Sequence, residues 1–520
     1  MNLVNFLLSL PLPQKSLIHF QKWVVRSSLA VLSLLCAASP ILAQLIYFNR
    51  PLSLAEIAFE YAQAERPEKA VSLLEQAEAQ VEDGCFEATT LLKIGVGYLT
   101  AGQSTKGEQF LTQAFETARE RTLERCAAGT SPEESLLNRA VEYAEAGHFD
   151  LALQIVEGVD NLFAPIAMAK IAGYYYAMGQ QRQAKQVLTQ AIAIVQGSSE
   201  DSMLNLMLQG RMTTLLIEAE QPELAKFVLD QTGLAQLQAL NSSQSLEPVV
   251  HQKLGLVRIL IALDRPQQAL ALLEQTVLEI QPLPNFPIEE TSKLVEAALL
   301  YHSLGQVSQA AEVLERTRNL LPHLPDAQTF VDAQVRLVRG YAAMGKFDQA
   351  RALAESIEVA SRRQVAYGAI ATEYAKAGLT EAAVSLVQSL GWPDFVVGDM
   401  IRAYLETEQY SQAQQLAQQT YRPRMLLSVG RAYLEAGEPE RALQLIDLIP
   451  PDGSADWLRQ STALEFAKQS QFDQALDLVQ MIEDPGAKVN ALIEIAARNS
   501  DQEKAVEILD QALSLIQFEP

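Results

Sequence analysis

Apolar residues recur at intervals of three and four along almost the whole chain, which is the spacing of one face of an α-helix. Short turns interrupt this pattern at regular intervals, and most of them contain glycine or an acidic residue. The stretch LLSVGRAYLEAGEPERALQLIDLIP, residues 426–450, shows one complete unit. The unit predicts a first helix (helix A), a tight turn, and a second helix that runs antiparallel to the first (helix B).

Four landmarks define this unit. Tyr433 occupies an anchor slot on helix A, and Gly437 (the turn slot), Ala442 (the alanine slot) and apolar Ile446 follow four, nine and thirteen residues later. The alanine slot holds alanine in every copy of the unit except one, which has Gly107. A small side chain at a fixed position allows two helices to pack closely. The frame fits the chain thirteen times, with anchors Tyr61, Tyr98, Tyr143, Tyr175, Leu216, Leu260, Tyr301, Tyr341, Tyr374, Tyr404, Tyr433, Phe466 and Ala496.

The residue two positions after the turn slot is often a proline or an aromatic residue. Proline suits the first turn of a helix. An aromatic side chain at this position can pack on the anchor of its own repeat. The aromatic residues are Phe149, Phe347, Tyr410 and Phe472.

The combination of aromatic anchor, turn glycine, alanine slot and following apolar slot resembles the tetratricopeptide repeat. The resemblance covers residues 54–518, although the family's early tryptophan is missing and its closing proline survives only at places such as Pro322. It implies an all-α fold, a right-handed superhelical solenoid of antiparallel helix pairs, with the A helices along the concave surface. In such a solenoid the core is buried between neighbouring repeats.

The distance between turns divides the repeats into two groups. Steps between successive turn slots are mostly 37 to 45 residues up to the eighth copy, and 29 to 33 residues afterwards. We therefore expect longer repeats over residues 54–357 and shorter repeats over residues 358–520. The difference predicts a change of pitch rather than a domain border.

The first 55 residues contain no acidic residue, whereas the rest of the chain is rich in them. A basic region that ends at Arg26, an apolar run at 29–38 and small residues up to Ala43 predict a signal peptide over 1–43, followed by a linker over 44–53. The alternative is an uncleaved membrane anchor, because residues 27–48 are uncharged over a length that can span a bilayer. Both interpretations place the repeats outside the cytoplasm, periplasmic or secreted. A cytoplasmic protein with a buried N-terminal helix is the third interpretation.

The chain is strongly acidic, with a formal net charge of −23 and a pI near 4.7. A phosphate backbone would be repelled by such a protein, so we expect no nucleic-acid partner. Catalytic and cofactor motifs are also missing. Residues 340–346 (GYAAMGK) match the start of a phosphate-binding loop, but Phe347 stands where Ser or Thr would bind magnesium. The five histidines show no metal-ligand spacing. We predict a non-enzymatic protein without cofactor or metal, and an enzyme built on a helical solenoid is the least favoured alternative.

Cys85 and Cys126 flank the second predicted hairpin and would be the only thiols left after leader removal. In an oxidising compartment they could form a disulfide that staples this repeat. Their distances from the turn, 17 and 24 residues, differ by seven residues. Seven helical residues span about 10 Å, more than a disulfide allows unless the chain turns back after helix B. Two unbonded, buried cysteines are the alternative.

Two slots on helix A, two and five residues before the anchor, are rich in basic residues although the protein is acidic. They are three residues apart and therefore share a helical face. The basic residues are Arg258, Arg339, Arg402 and Arg431 in the first slot, and Lys93, Lys170, Arg211 and Arg336 in the second. They predict a basic concave groove that binds an acidic peptide or a carboxylate-bearing ligand. The alternative is intrahelical pairing of Arg402 with Glu406 and of Arg431 with Glu435.

These features together predict an exported scaffold or assembly factor that binds another protein. A membrane-tethered adaptor that retains its N-terminal helix is the main alternative, and only in that case do we expect contact with a membrane.

Overall fold

The computed structural model describes residues 49–121, 131–159, 161–198, 202–240, 246–280, 287–324, 326–420, 422–449 and 453–517. In these ranges the chain forms 26 α-helices, one short 3-10 helix and no β-strand. Successive helices pair as thirteen hairpins, one for each predicted copy of the unit. The predicted all-α repeat fold is therefore confirmed.

Odd-numbered helices are the A helices and even-numbered helices are the B helices of repeats 1 to 13. Repeats 1 to 7 contain α1 Arg50–Gln63, α2 Pro67–Glu78, α3 Glu87–Thr100, α4 Ser104–Glu120, α5 Pro132–Glu145, α6 Phe149–Gly158, α7 Ala164–Ala177, α8 Gln181–Ser198, α9 Ser202–Glu218, α10 Pro222–Leu240, α11 Leu246–Ala262, α12 Pro266–Glu279, α13 Pro287–Ser303 and α14 Val307–Leu320. Repeats 8 to 13 contain α15 Ala327–Ala343, α16 Phe347–Glu355, α17 Ala360–Lys376, α18 Thr380–Ser389, α19 Asp394–Glu406, α20 Tyr410–Gln419, α21 Pro423–Glu435, α22 Pro439–Ile446, α23 Gly453–Lys468, α24 Phe472–Gln480, α25 Pro485–Arg498 and α26 Gln502–Gln517.

The turn between helix A and helix B has the same construction in almost every repeat. In repeat 11, Gly437 has a φ of +72°, its N–H donates to the Leu434 carbonyl, and the next N–H, of Glu438, donates to the carbonyl of the anchor Tyr433. This pair of bonds is a Schellman motif, which caps the C-terminus of a helix and reverses the chain. The turn slot has a positive φ in each of the first twelve repeats, including five without glycine: Glu65, Glu220, Asp264, Glu408 and Ser470.

The alanine slot lies between the two helices of each hairpin and is buried in all thirteen repeats. The single glycine has a steric reason. A methyl group on Gly107 would lie 2.6 Å from Leu99 Cγ and 2.9 Å from the Gly95 carbonyl oxygen. Helices α3 and α4 therefore approach each other too closely for alanine.

Three of the four aromatic residues at the start of helix B contact an anchor, but it is the anchor of the next repeat and not, as predicted, that of their own repeat. The ring of Phe149 stacks on Tyr175 at 3.9 Å between centroids, and Phe347 lies 4.3 Å from Tyr374. Helix B lies between the A helix of its own repeat and that of the following repeat, which explains this choice of partner. These ring pairs join neighbouring repeats.

The A helices form the inner side of a curve. Each A helix packs on the A helix of the next repeat, whereas comparable packing between successive B helices is limited to α4 with α6 and α8 with α10. Helices that remain in contact mark the inside of a bend, and helices that spread apart mark the outside. We call the exposed face of the A helices the inner wall.

The curve closes on itself. Helices α25 and α26 of repeat 13 pack on α1 of repeat 1. At this seam the Tyr61 hydroxyl donates to Asp510 and Lys69 pairs with the same carboxylate. Closure was not anticipated from the sequence, and it gives the terminal repeats a neighbour on both sides.

The shorter period of the C-terminal repeats corresponds to shorter B helices. These helices have 8 to 10 residues in repeats 8 to 12, whereas α8 and α10 have 18 and 19. Helices α15 and α16 both pack on α17. The stacking therefore continues through the point where the period changes.

Candidate partner-binding surface

The inner wall is made by four slots of each A helix. At 100° per residue, the positions nine, five and two residues before the anchor and two residues after it fall within an arc of about 60°. The residues in these slots are mostly exposed or partly exposed. The wall therefore includes both slots in which the sequence analysis found basic residues.

Three of the eight predicted binding residues contact the preceding repeat or the next one. Arg258 pairs with Glu296 on the next A helix at 2.6 Å, and Lys93 lies 3.7 Å from Glu56 on the preceding A helix. Arg336 donates a 2.7 Å hydrogen bond to the Ser292 hydroxyl. These contacts join neighbouring A helices. The two carboxylates also neutralise part of the predicted basic charge.

Two further arginines pair within their own helices. Arg431 binds Glu435 at 2.7 Å, as the alternative interpretation expected. Arg402 binds Asp399 at 2.6 Å and not Glu406, so that predicted pair is wrong. The reason is that Glu406 pairs with Lys376 of the preceding repeat at 3.2 Å.

The remaining three basic residues are Lys170, Arg211 and Arg339, and all three are exposed. Arg339 faces Glu373 of the next repeat, where its charge opposes the rise in the pKa of that carboxyl, which burial causes. Within the described part of the chain, Lys170 and Arg211 form no ion pair. They lie in the same slot of repeats 4 and 5, so the basic character of the wall is concentrated there.

The A helices of the first three repeats meet beside the seam. The ring of Phe59 on α1 lies 5.7 Å from the ring of Tyr143 on α5, two repeats away. The Lys93 ammonium lies 4.8 Å from the centre of the Tyr143 ring, and Arg139 lies 3.7 Å from Glu56. Helices α1, α3 and α5 thus meet in a network of charged and aromatic groups.

Burial raises the pKa of two carboxyl groups at this place. Desolvation raises the pKa of Glu60 to about 7, and the nearby Lys93 opposes this rise. Burial also raises the pKa of Glu494 on α25, which Arg498 opposes. The carboxyl groups of α1 and α25 therefore lie close to each other at the seam, together with the basic side chains of Lys93 and Arg498.

A shallow depression of about 460 Å³ lies between repeats 1, 2 and 3. Phe59, Leu99, His148 and Phe149 are among the residues that line it. Burial lowers the pKa of His148, which favours the neutral imidazole. Asp150 is the only carboxylate among its lining residues, and the depression is open to solvent.

The remaining candidates for chemistry have structural explanations. Residues 340–346 cross the hairpin turn from α15 to α16, where Gly345 has a φ of +71°. This segment is a helix cap and not a phosphate-binding loop. In the described ranges no group of three or more His, Cys, Asp or Glu side chains could hold a metal ion. None of the helices described is long and apolar enough to cross a bilayer.

Cys85, just before α3, is disulfide-bonded. Cys126, its predicted partner, lies outside the described residues, and the pairing of these two remains a prediction. The predicted signal peptide, residues 1–43, also lies outside the described residues.

Sequence reasoning missed two slots of the inner wall, nine residues before the anchor and two residues after it. In repeats 10, 11 and 12 the first of these slots holds Phe395, Arg424 and Trp457. The signal was present in the sequence, because a slot seven residues from a recognised one lies on the same helical face.

Comparisons with known proteins assign no family to this chain. No protein-family model matches the chain, and no curated protein matches it in sequence. Among solved structures, the chain is similar to Ton1535 from Thermococcus onnurineus NA1, with 16% identity over 85% of this chain and 98% of that chain and a TM-score of 0.21. It is similar to the Rap protein solved with Competence and Sporulation Factor, with 14% identity over 86% and 99% of the two chains and a TM-score of 0.24. The third is the APC/C hetero-tetramer Cut9-Hcn1, with 13% identity over 88% and 82% and a TM-score of 0.21.

Proposed function

We propose that this protein is a non-enzymatic scaffold that binds a segment of another protein against its inner wall. The observation that carries the proposal is the pair Lys170 and Arg211, which are exposed in the same slot of successive A helices and lack ion pairs with described residues. Uncompensated positive charge on a protein of net charge −23 attracts carboxylates. The bound segment is therefore expected to be acidic.

Site-specific photo-crosslinking in cells tests this proposal. A photoreactive residue in place of Met207, which is 37% exposed on the inner helix α9, should crosslink to a partner protein. Ile194 provides the matched control, because it is 42% exposed but lies on the outer helix α8. Equal crosslinking from both positions would contradict an inner-wall site.

Charge reversal supplies the second arm of this test. The double variant Lys170→Glu/Arg211→Glu should reduce the yield of the Met207 crosslink at least tenfold, because it replaces two attractive charges by two repulsive ones. Arg182→Glu on α8 changes the charge of an exposed residue on the outer helix of repeat 4 and should leave the yield unchanged. An unchanged yield in the double variant would refute the role of these two residues.

We propose further that the repeats lie outside the cytoplasm after cleavage near Ala43. The basic, acid-free N-terminal segment supports this location. The disulfide at Cys85 supports it as well, because disulfides persist in oxidising compartments. The alternative is a membrane-tethered adaptor that keeps the N-terminal segment. N-terminal sequencing of the native protein distinguishes them: a start at Gln44 indicates export, and an intact Met1 in the membrane fraction indicates the adaptor.

A further inference from the structure

We infer that the inner wall of repeats 10 to 12 recognises an extended segment of a partner protein in which one carboxylate stands between two apolar side chains. The recognising residues are Phe395, Arg424 and Trp457. The inference rests on the proposed function, since it specifies what a second part of the same wall binds.

These three residues occupy the same slot, nine residues before the anchor, on successive A helices. Phe395 is 46% exposed although it is a large apolar side chain, and Trp457 is partly exposed. Arg424 between them is exposed. Exposed aromatic and arginine side chains are the residue types that most often dominate binding energy at protein interfaces.

The charge of Arg424 is the distinctive feature of this region. Its neighbours Arg402, Arg422 and Arg431 are each held by a carboxylate, at 2.6, 2.5 and 2.7 Å respectively. Arg424 has no such partner anywhere in the described residues. A carboxylate on a bound segment would therefore meet one uncompensated guanidinium, with paired arginines around it. Charge complementarity thus points to a single acidic residue in the bound segment.

The register of the three helices places the residues in one slanted row. Arg422 at the start of α21 pairs with Asp394 at the start of α19, which brings the first turns of these helices together. On the other side, a methyl group on Gly430 would lie 2.8 Å from a side-chain carbon of Leu458, so α23 packs on the middle of α21. Phe395, Arg424 and Trp457 therefore follow one another along the wall.

The row also sets the spacing of the segment that it fits. Packed helices lie 8 to 10 Å apart, so Phe395 and Arg424, in the first turns of α19 and α21, are about 10 Å from each other. Trp457 is next to Leu458, which packs on Gly430 six residues after Arg424, so it lies about 13 Å from Arg424. An extended segment in the polyproline II conformation advances about 3.1 Å per residue with three residues per turn, so side chains three residues apart share a face and stand about 9 Å apart. The matching segment therefore has an apolar residue, an acidic residue three positions later, and a second apolar residue after three more, whose side chain reaches that of Trp457.

Two fluorescently labelled peptides test this inference directly. The first is Leu-Ser-Gly-Glu-Ser-Gly-Leu, and the second has lysine in place of glutamate. Fluorescence anisotropy with the full protein should show at least tenfold tighter binding of the glutamate peptide. Phe395→Ala and Trp457→Ala should each weaken its binding at least fivefold. Equal affinity for the two peptides would overturn the inference.

The variant Arg424→Glu should reverse the preference, so that the lysine peptide binds at least tenfold more tightly than the glutamate peptide. This gain of binding cannot result from misfolding, and its absence would refute the charge contact. Arg441→Glu is the matched control, since Arg441 is an exposed arginine on the outer helix α22. It should leave the affinity for both peptides unchanged.

The outcomes separate this inference from the scaffold proposal. If Met207 crosslinks to a partner and the Lys170/Arg211 double variant prevents this, while the peptides show no preference, only the row in repeats 10 to 12 is refuted. If Ile194 crosslinks as efficiently as Met207, the inner-wall proposal fails whatever the peptides do.

Discussion

Tyr61 and Asp510 lie 449 residues apart in the chain, yet the Tyr61 hydroxyl donates a 2.6 Å hydrogen bond to the Asp510 carboxylate. Lys69 completes the contact, because its ammonium lies 2.5 Å from the same carboxylate and 4.3 Å from the centre of the Tyr61 ring. The interface between repeats 1 and 2 contains the same triad, formed by Tyr98, Lys106 and Glu78. Repeat 13 therefore docks on repeat 1 in the way that repeat 1 docks on repeat 2.

Removal of the Asp510 carboxylate should open the ring. Asp510→Ala leaves the buried Tyr61 without its acceptor and Lys69 without its counter-charge, which should cost about 1–3 kcal/mol at the seam. Hydrogen exchange should then show faster exchange of the amides of α1 and α26. Small-angle X-ray scattering should show a larger radius of gyration.

Glu78→Ala is the matched control, because it breaks the equivalent triad between repeats that are covalently connected. We expect a similar loss of local stability from this variant but no increase in the radius of gyration. A closed particle in both variants would show that this triad does not hold the seam.

The hairpins were predictable from sequence because their determinants are local. Tyr433 and Ala442 mark the two helices, and Gly437 marks the positive φ of the turn, all within ten residues. Closure was not predictable, because it depends on the sum of thirteen small rotations between repeats.

The candidate site was predictable only in part, for a similar reason. Helical periodicity placed the two basic slots on one exposed face. It could not show that Arg258 forms an ion pair with Glu296 of the next repeat. Nor could it show that Glu406 pairs with Lys376, so that Arg402 pairs with Asp399 instead. These pairings depend on the offset between neighbouring helices, which the sequence of one helix does not contain.

Glu60 should make the stability of the protein depend on pH. Its ordinary pKa of 4.5 rises to about 7 in the folded protein, mainly through burial. Between these values the folded state binds a proton that the unfolded state has lost, so the free energy of unfolding decreases as pH rises from about 4.5 to about 7. The contribution of this group should be about 3 kcal/mol, and it remains lost above pH 7.

Glu60→Gln removes the titrating group and keeps a polar side chain of similar size. The variant should be more stable than the wild type at pH 8 and nearly equal to it at pH 5. Denaturant unfolding of the regions around α1 and α25 at both pH values provides the measurement. Glu68→Gln, at an exposed position on α2, should show no such difference between the two pH values. The prediction is wrong if Glu60→Gln and the wild type lose equal stability from pH 5 to pH 8.

Substitutions at the turn slots of two adjacent repeats should have opposite effects on the thermal midpoint of unfolding. Glu408 has a φ of +58°, which costs a residue with a Cβ about 1 kcal/mol relative to glycine. Glu408→Gly should therefore raise the thermal midpoint of unfolding. Gly437→Ala should lower it, because the added methyl meets only Gln469 at 4.0 Å and the cost is purely conformational. Circular dichroism melts of both variants check the prediction, which requires the two shifts to have opposite signs.

Gly107 supplies the sharpest test of the close helix packing, because it breaks the rule of the alanine slot. Gly107→Ala would normally favour a helix by about 1 kcal/mol. Here the new methyl would collide with Leu99 Cγ at 2.6 Å and with the Gly95 carbonyl oxygen at 2.9 Å. Overpacking of this kind costs about 1–3 kcal/mol, so the variant should be destabilised despite its better helix propensity.

The second variant, Leu99→Ala, removes the side chain from the collision but leaves the backbone oxygen in place. In a double-mutant cycle measured by denaturant unfolding, Leu99→Ala should therefore recover part of the cost of Gly107→Ala, with a coupling of about 1 kcal/mol. Additive effects would mean that α3 and α4 can move apart freely, and that the glycine is not required by their packing.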